Sequence, residues 1–314
     1  MKRISRVTAA GLAGWGAVRL AGADRFRCLE APAVPVLSFT PQAAVAALAG
    51  SMPLRRKGTP PAAAATALAA GALTAVILPR AIRRPQPQAS GPVLRVLTAN
   101  LLVGRASKGA VVGLVRRKGV DVLFLQELTG AAVTRLRQAG LNDLLPHETT
   151  DVRGGAGGSG IYARFPLSRG LSLAPTPMAQ PTARLELPAG QCVELVCVHP
   201  CAPGPPSLRR SVARWREELA ILPPPADPPR VLAGDFNATV DHAQFRRLLR
   251  LGHVDAAGQT GNGLAPTWGP AGKPALLTID HVLVDSRCAV LATSVHFLPG
   301  SDHRAVYAKF RLPA

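Results

Sequence analysis

The chain has 314 residues, 47% of them hydrophobic, with 30 Gly, 30 Pro and 37 Lys+Arg against 18 Asp+Glu, for a formal net charge of +19. This apolar content excludes a disordered polar chain, and the lack of a glycine period excludes a collagen-like repeat. Five cysteines without paired CxxC spacing argue against a disulfide scaffold or a thiolate zinc site, and 4% aromatics leave few rings for stacking nucleic acid.

Residues 1–92 hold 12 basic and 2 acidic side chains, so a little over half of the excess positive charge lies in the first third of the chain. Three uncharged stretches occur there: Val7 to Val18, Ala33 to Gly50 and Ala62 to Leu78. The third has 17 residues, the low end of what crosses a bilayer as a helix. The second is weakened by Pro35, Pro41 and Gln42. The first is short for a span, and with Lys2, Arg3, Arg6 and Ala21-Gly22-Ala23 it also reads as a cleavable secretory signal. Three spans, or a cleaved signal plus a two-span hairpin, both leave the rest of the chain outside the cytoplasm, with Arg55 to Lys57 inside. The division is therefore an Ala-rich helical membrane-associated region of two or three helices at 1–84, a linker at 85–92 and a second domain at 93–314.

Beyond the linker, VLRVLTAN reads as a strand ending at Asn100, and Val111, Leu114 and Val115 mark a helix before Gly119. DVLFLQE is a second strand, and Val133 and Leu136 share one face of a short helix. After a glycine-rich loop, GIYAR, ARLEL and CVELVCVH read as strands and Ser207 to Leu222 as a helix. RVLAGDFN is strand into loop, Phe245, Leu248 and Leu249 mark another helix, and three late strands follow around TIDHVLV, VLATSVHF and HRAVYAKF. Strands outnumber helices and several are joined by short turns, so a mixed, layered α/β or α+β architecture is expected.

Polar groups recur at strand ends: Asn100, Glu127, His199, Asp235 and Asn237, with Asp280 and His281 opening one late strand and Asp302 and His303 preceding the last. Singly, each has an ordinary structural role as a turn residue, helix cap or buried imidazole. Together they supply hard oxygen ligands, amides and imidazoles, the mixture that suits Mg²⁺ and phosphoester chemistry.

These residues carry a resemblance. TAN, LQE, VHP, GDFN, IDHVLV and SDHRAV occur in the order seen in the endonuclease/exonuclease/phosphatase superfamily, and residues 93–314 resemble its DNase I-like, magnesium-dependent branch. The resemblance implies a four-layer sandwich of two mixed β-sheets flanked by helices. It implies Glu127 as the main Mg²⁺ ligand (Mn²⁺ substituting), supported by Asn100 and Asp302. It further implies Asp235 orienting and activating water, Asn237 fixing water and phosphate, His303 on the phosphate held by Asp280, and His199 near the leaving oxygen. Arg164, in ARFP, takes the place of a phosphate-binding arginine, and Trp268 that of a residue stacking on a base or lipid headgroup; a surface role and a core role are the respective alternatives. His281, alternating with Asp280, faces away from the site. No acidic partner for His199 is evident.

An N-terminal membrane segment before such a domain resembles actinobacterial members of the superfamily. The implied activity is metal-dependent phosphoester hydrolysis on nucleic acid, nucleotide or lipid headgroup, with membrane lipid contacted by the N-terminal segment and no protein partner expected. Two other readings stand: a phospholipid or sphingolipid headgroup phosphodiesterase, and a noncatalytic basic module for nucleic acid or anionic membrane.

Overall fold

The computed structural model describes residues 2–56, 60–188, 190–205, 207–270 and 272–314. Four helices come first: α1 (Lys2–Ala21), α2 (Arg27–Leu37), α3 (Thr40–Arg56) and α4 (Pro60–Ile77). The catalytic fold follows as β1 (Val93–Asn100), α5 (Lys108–Lys118), β2 (Val122–Gln126), α6 (Gly130–Gln138), α7 (Leu141–Leu144), β3 (His147–Asp151), β4 (Ser159–Ala163), β5 (Leu167–Arg169), β6 (Thr182–Glu186) and β7 (Cys192–Val198). It continues with α8 (Leu208–Ala220), β8 (Arg230–Asp235), α9 (Ala243–Arg250), β9 (His253–Asp255), α10 (Ala256–Gln259), β10 (Asp280–Asp285), β11 (Ala289–Phe297) and β12 (Arg304–Arg311).

The strands form two six-stranded mixed sheets, ordered β11-β12-β1-β2-β4-β3 and β5-β6-β7-β8-β10-β9. Each holds one parallel pair, β1 with β2 and β7 with β8, joined through α5 and α8. A parallel pair needs such a crossover, which fixes both helices on the outer faces. Ser107 caps α5, its Oγ accepting the Ala110 N–H at 3.3 Å, and Gly119 ends it in the left-handed conformation at φ 59°.

Alternation along the strands builds the layers. Leu94, Val96, Val122 and Phe124 face inward against Leu195, Cys197, Val231 and Ala233 of the second sheet. Leu97, Ala99, Leu123 and Leu125 face outward onto α5 and α6. Val196, Val198, Leu232 and Leu283 do the same toward Trp215 and Phe245. The result is the expected DNase I-like four-layer α/β/β/α sandwich. Strand β3 had no sequence signature: HETTD is a half-exposed edge strand with no apolar face.

Helices α1, α3 and α4 pack together, and Arg19 near the end of α1, Gln42 near the start of α3 and Arg80 just after α4 each contact the second domain. Ala63–Arg80, with mean hydropathy 1.5, is long and apolar enough to cross a membrane by itself. The stretch Ala33 to Gly50 is not one helix. It breaks between α2 and α3 with a 69° bend. Val34, in α2, is buried in the same cluster as Trp215 and Phe236 of the catalytic fold, and Glu30 pairs with Arg216 of α8. Val34 therefore lies in a protein core, a burial worth about 1.5–3 kcal/mol. Lys57, from the basic cluster Arg55 to Lys57, lies outside the described residues.

The segment expected to be a linker follows the surface of the fold: Gln86 Oε1 accepts the Val290 N–H at 2.7 Å, and the Gly91 N–H donates to the Leu312 carbonyl at 3.1 Å.

Candidate active site

Both parallel pairs end at the same rim of the sandwich. Register places Asn100 beside Gln126 and Val198 beside Gly234, while antiparallel β10 enters there with Asp280 opposite Asp235. Gly234 is required by that packing, because a Cβ on it would lie 1.9 Å from the Val198 carbonyl oxygen.

Asn100 is fully buried and sits at the centre. Its Nδ2 donates to Glu127 Oε1 and to Asp235 Oδ2, both at 3.1 Å, and its Oδ1 accepts the Leu102 N–H at 3.0 Å. Glu127 Oε2 accepts the Val103 N–H at 2.6 Å. Leu102, Val103, Glu127 and Asn237 are the non-glycine residues with positive φ among the described residues, at 47°, 51°, 55° and 47°. Such conformations are costly, above all for β-branched valine, and concentrate where function over-determines the backbone.

Asp235 Oδ1 accepts the Asn237 N–H at 2.8 Å, and Asn237 Nδ2 donates to the Pro200 carbonyl at 3.0 Å, which places Asn237 beside His199. His303 Nδ1 lies 3.1 and 2.9 Å from the two oxygens of Asp280, and its Nε2 lies 3.6 Å from Asp235 and 4.0 Å from Asp302. Burial opposes charge on this ring, but Asp280, then Asp235, carry His303 up to about 10, so it is an imidazolium at neutral pH. Burial, with Asp280 adding to it against the pull of His303, raises Asp235 to about 7. His199 goes the other way, pushed down to about 3 by burial and then by the charge of His303. Its Nδ1 is buried without a partner. The two imidazoles thus divide into a charged donor, His303, and a neutral group, His199.

Asp302 receives the Trp268 Nε1–H on Oδ2 at 3.0 Å, while its Oδ1 is buried and has no hydrogen-bond partner. Trp268 therefore grips a carboxylate through its indole N–H, a role between the stacking and core alternatives. Asp235, Asp280 and His303 bring ligand atoms within 4.8 Å of one another. His303 already spends Nδ1 on Asp280, which leaves Nε2 as its one free ring nitrogen. Glu127 and Asp302 offer carboxylate oxygens, of which Asp302 Oδ1 is buried without a partner, and such donors suit a hard divalent cation; Asn100 turns its Nδ2 to Glu127 and so orients that carboxylate.

Residues 97–303 match the Endonuclease/Exonuclease/phosphatase family. The chain belongs to that family. No curated protein matches the sequence significantly. Among solved structures, the chain is similar to an endonuclease/exonuclease/phosphatase from Beutenbergia cavernae, at 21% identity and TM-score 0.56, covering 71% of this chain and 72% of that one. It is also similar to a humanized D. rerio TDP2 carrying 14 mutations, at 20% identity and TM-score 0.54 over 70% of this chain and 99% of that one. An AP endonuclease from Archaeoglobus fulgidus aligns at 16% identity and TM-score 0.54 over 68% and 98%. At these identities the likeness concerns the fold.

In this family member the rim gathers Asn100, Glu127, His199, Asp235, Asn237, Asp280, Asp302, His303 and Trp268, but not Arg164. Arg164 follows β4 at the end where Ala163 pairs with Val122, whereas the site lies at the other end, where Ser159 pairs with Gln126. It is spent there on Asp121, 3.3 Å away, and on the Val120 carbonyl. His281 faces away as alternation requires, its Nε2 3.0 Å from the Ala238 carbonyl and its Nδ1 3.5 Å from Asp255.

Two hydroxyls brace the site with no role assigned to them from sequence. Thr267 Oγ1 accepts the backbone N–H groups of Ile279 and Asp280, both at 3.0 Å. Ser301 Oγ donates to the Asn100 carbonyl at 2.9 Å and accepts the His303 N–H at 3.0 Å, tying the last loop to β1. Ser301 was within reach as the first letter of the SDH motif. A cleft of about 650 Å³ opens beside Asp302 and His303, lined by Arg105, Lys273, Arg304 and Phe297.

Proposed function

We propose that the protein is a hydrolase of phosphoester bonds, working as a phosphodiesterase, nuclease or phosphatase with a divalent cation of the Mg²⁺ class, Mn²⁺ substituting. The observation that carries this reading is the buried Asp280–His303–Asp235 constellation standing beside the Asn100–Glu127 pair at one rim. A raised carboxylate and a charged imidazole side by side suit acid–base and electrostatic work on a phosphate. Family membership and the AP endonuclease among the structural relatives support the bond class.

Asp235, near its midpoint at neutral pH, orients a water and takes its proton as the water oxygen attacks phosphorus. His303, held by Asp280, donates a hydrogen bond from Nε2 to a non-bridging phosphate oxygen while keeping its proton, and as the bond to the leaving oxygen breaks that oxygen takes up a proton from solvent. Asn237 fixes the phosphate against the Pro200 turn, and neutral His199 contacts the leaving oxygen. Glu127 and Asp302, with Asn100 orienting Glu127, would hold a divalent cation, which would neutralise phosphate charge. Arg105, Lys273 and Arg304 draw the anion into the cleft.

We further infer attachment to the cell membrane with the catalytic fold outside the cytoplasm. Exposed apolar side chains, among them Leu20, Phe26, Val45, Leu68 and Leu78, concentrate on the N-terminal helices. Arg19, near the end of α1, and Gln42, near the start of α3, contact the catalytic fold, and Lys2, Arg3, Arg6, Arg55 and Arg56 belong in sequence to the opposite ends of these two helices. That polarity matches the positive-inside rule. Of Arg80, Arg83 and Arg84, which weigh against it, Arg80 is paired with Asp241.

A lipid headgroup substrate is favoured by one contact: Gln42 Nε2, at the start of α3, donates to the Leu276 carbonyl at 2.7 Å, in the loop that supplies Lys273 and Ala275 to the cleft. The test is the full chain in detergent, given bis(4-nitrophenyl) phosphate, a phosphomonoester, DNA and phospholipid vesicles, with Mg²⁺ or EDTA. Hydrolysis lost in EDTA and reduced about 10²–10⁴-fold by Asp235→Ala and His303→Ala is expected. Activity retained in both variants rules out the mechanism.

A further inference from the structure

The residues directly after GDFN take their partners from outside the catalytic fold. Asp241 has a fully buried carboxylate shared by two guanidinium groups of the N-terminal region. Arg80 holds both oxygens, Nη1 to Oδ2 at 2.8 Å and Nη2 to Oδ1 at 2.6 Å, and Arg19 Nε reaches Oδ1 at 2.6 Å. His242 Nδ1 accepts the Thr239 N–H at 2.9 Å, so its proton is on Nε2, which donates to the Val34 carbonyl of α2 at 2.9 Å. Asp24 accepts the Ala243 N–H. Upstream in the same loop, Asn237 sits at positive φ, a conformation that persists only where its surroundings enforce it.

We infer that the N-terminal helices are a positioning element of the catalytic loop: by clamping Asp241 through Arg19 and Arg80 they hold Asn237 and Asp235 in working geometry. This rests on the reading of Asp235 and Asn237 as catalytic. Loss of a clamp leaves a buried carboxylate short of its counter-charges, and the loop relieves this by turning Asp241 toward water. That movement draws residues 237–240 with it. The clamp is planar and bidentate at Arg80, so lysine there keeps the charge and loses the fork. The hydrolase and its anchor are thus one working unit.

The experiment uses the full chain in detergent with Arg80→Gln and Arg80→Lys. It reads kcat and KM on bis(4-nitrophenyl) phosphate at saturating Mg²⁺, together with amide hydrogen exchange. Arg80→Gln is expected to lower kcat about tenfold or more with KM within about threefold, and Arg80→Lys to restore part of the loss. Amides of residues 236–243 exchange faster while those of β1 and β2 do not change. A kcat within about threefold of wild type, or acceleration spread through β1 and β2 as in general destabilisation, overturns the inference. Should the wild-type chain hydrolyse none of the substrates, the proposed function fails, and loop exchange alone decides whether the clamp orders the loop.

Discussion

Replacing Asp280 by Asn tests how the site keeps His303 charged. Both oxygens of Asp280 contact Nδ1, at 3.1 and 2.9 Å, and both side chains are buried. Burial alone would strip the ring of its extra proton; Asp280, the strongest opposing charge, and then Asp235, bring it from 6.5 to about 10. That rise favours the imidazolium by about 5 kcal/mol, at about 1.4 kcal/mol per pKa unit. Asparagine keeps the shape and an acceptor for Nδ1 but removes the charge, so the ring's pKa falls by about 2 units or more while burial persists. On the proposed mechanism, activity needs Asp235 deprotonated and His303 protonated. It therefore rises as pH passes about 7 and is lost as pH passes about 10, with both limbs belonging to the coupled pair. In the variant the alkaline limb moves down and kcat at neutral pH drops about 10²–10⁴-fold. The assay is kcat/KM from mildly acidic to strongly alkaline pH, with the His303 ring followed by NMR. An alkaline limb unmoved in Asp280→Asn, or a kcat within about threefold of wild type, refutes the reasoning.

Trp268→Phe removes the indole N–H from Asp302, a bond to a charged group worth about 1.5–3 kcal/mol, and is expected to raise the Mg²⁺ concentration for half-maximal activity about tenfold or more. A Mg²⁺ titration checks it. Trp215→Ala empties a fully buried position and frees the Phe236 carbonyl, at a cost of about 3–5 kcal/mol read by denaturant unfolding. Burial pushes Asp241 up, but Arg80 and Arg19 outweigh it and hold the carboxyl below its ordinary value. Its stabilising contribution is therefore present above the unfolded value of about 4 and disappears as pH falls through the lower folded value. Thermal unfolding across that acid range should show the loss, and Asp241→Asn should flatten it.

The catalytic fold was legible because its strands are short apolar runs that end on ionisable residues, and the ends of β1, β2, β7 and β8 coincide at one rim. Arg164 was misplaced for a physical reason. ARFP marks a turn, but nothing local says which end of the sheet that turn occupies; only the pairing of Ala163 with Val122 does. The roles of His303 and His199 were not separable in sequence, since both follow or precede apolar strands and differ only in whether carboxylates surround them. The docking of the N-terminal helices was equally hidden. It depends on contacts between residues more than 160 apart, Arg80 with Asp241 and Arg19 with Asp241, and in sequence Asp241 and His242 are ordinary loop residues.

The chemistry is split between the two sheets. β1 and β2 bring Asn100 and Glu127, β7 and β8 bring His199 and Asp235, and the contact that joins them is an amide bridging Glu127 and Asp235 from opposite halves of the sandwich. Neither half contains the whole proposed set, so on that reading a chain emerging from the ribosome stays inert toward phosphoesters until its last strand has paired with β1 and brought His303 to Asp280 across the two sheets.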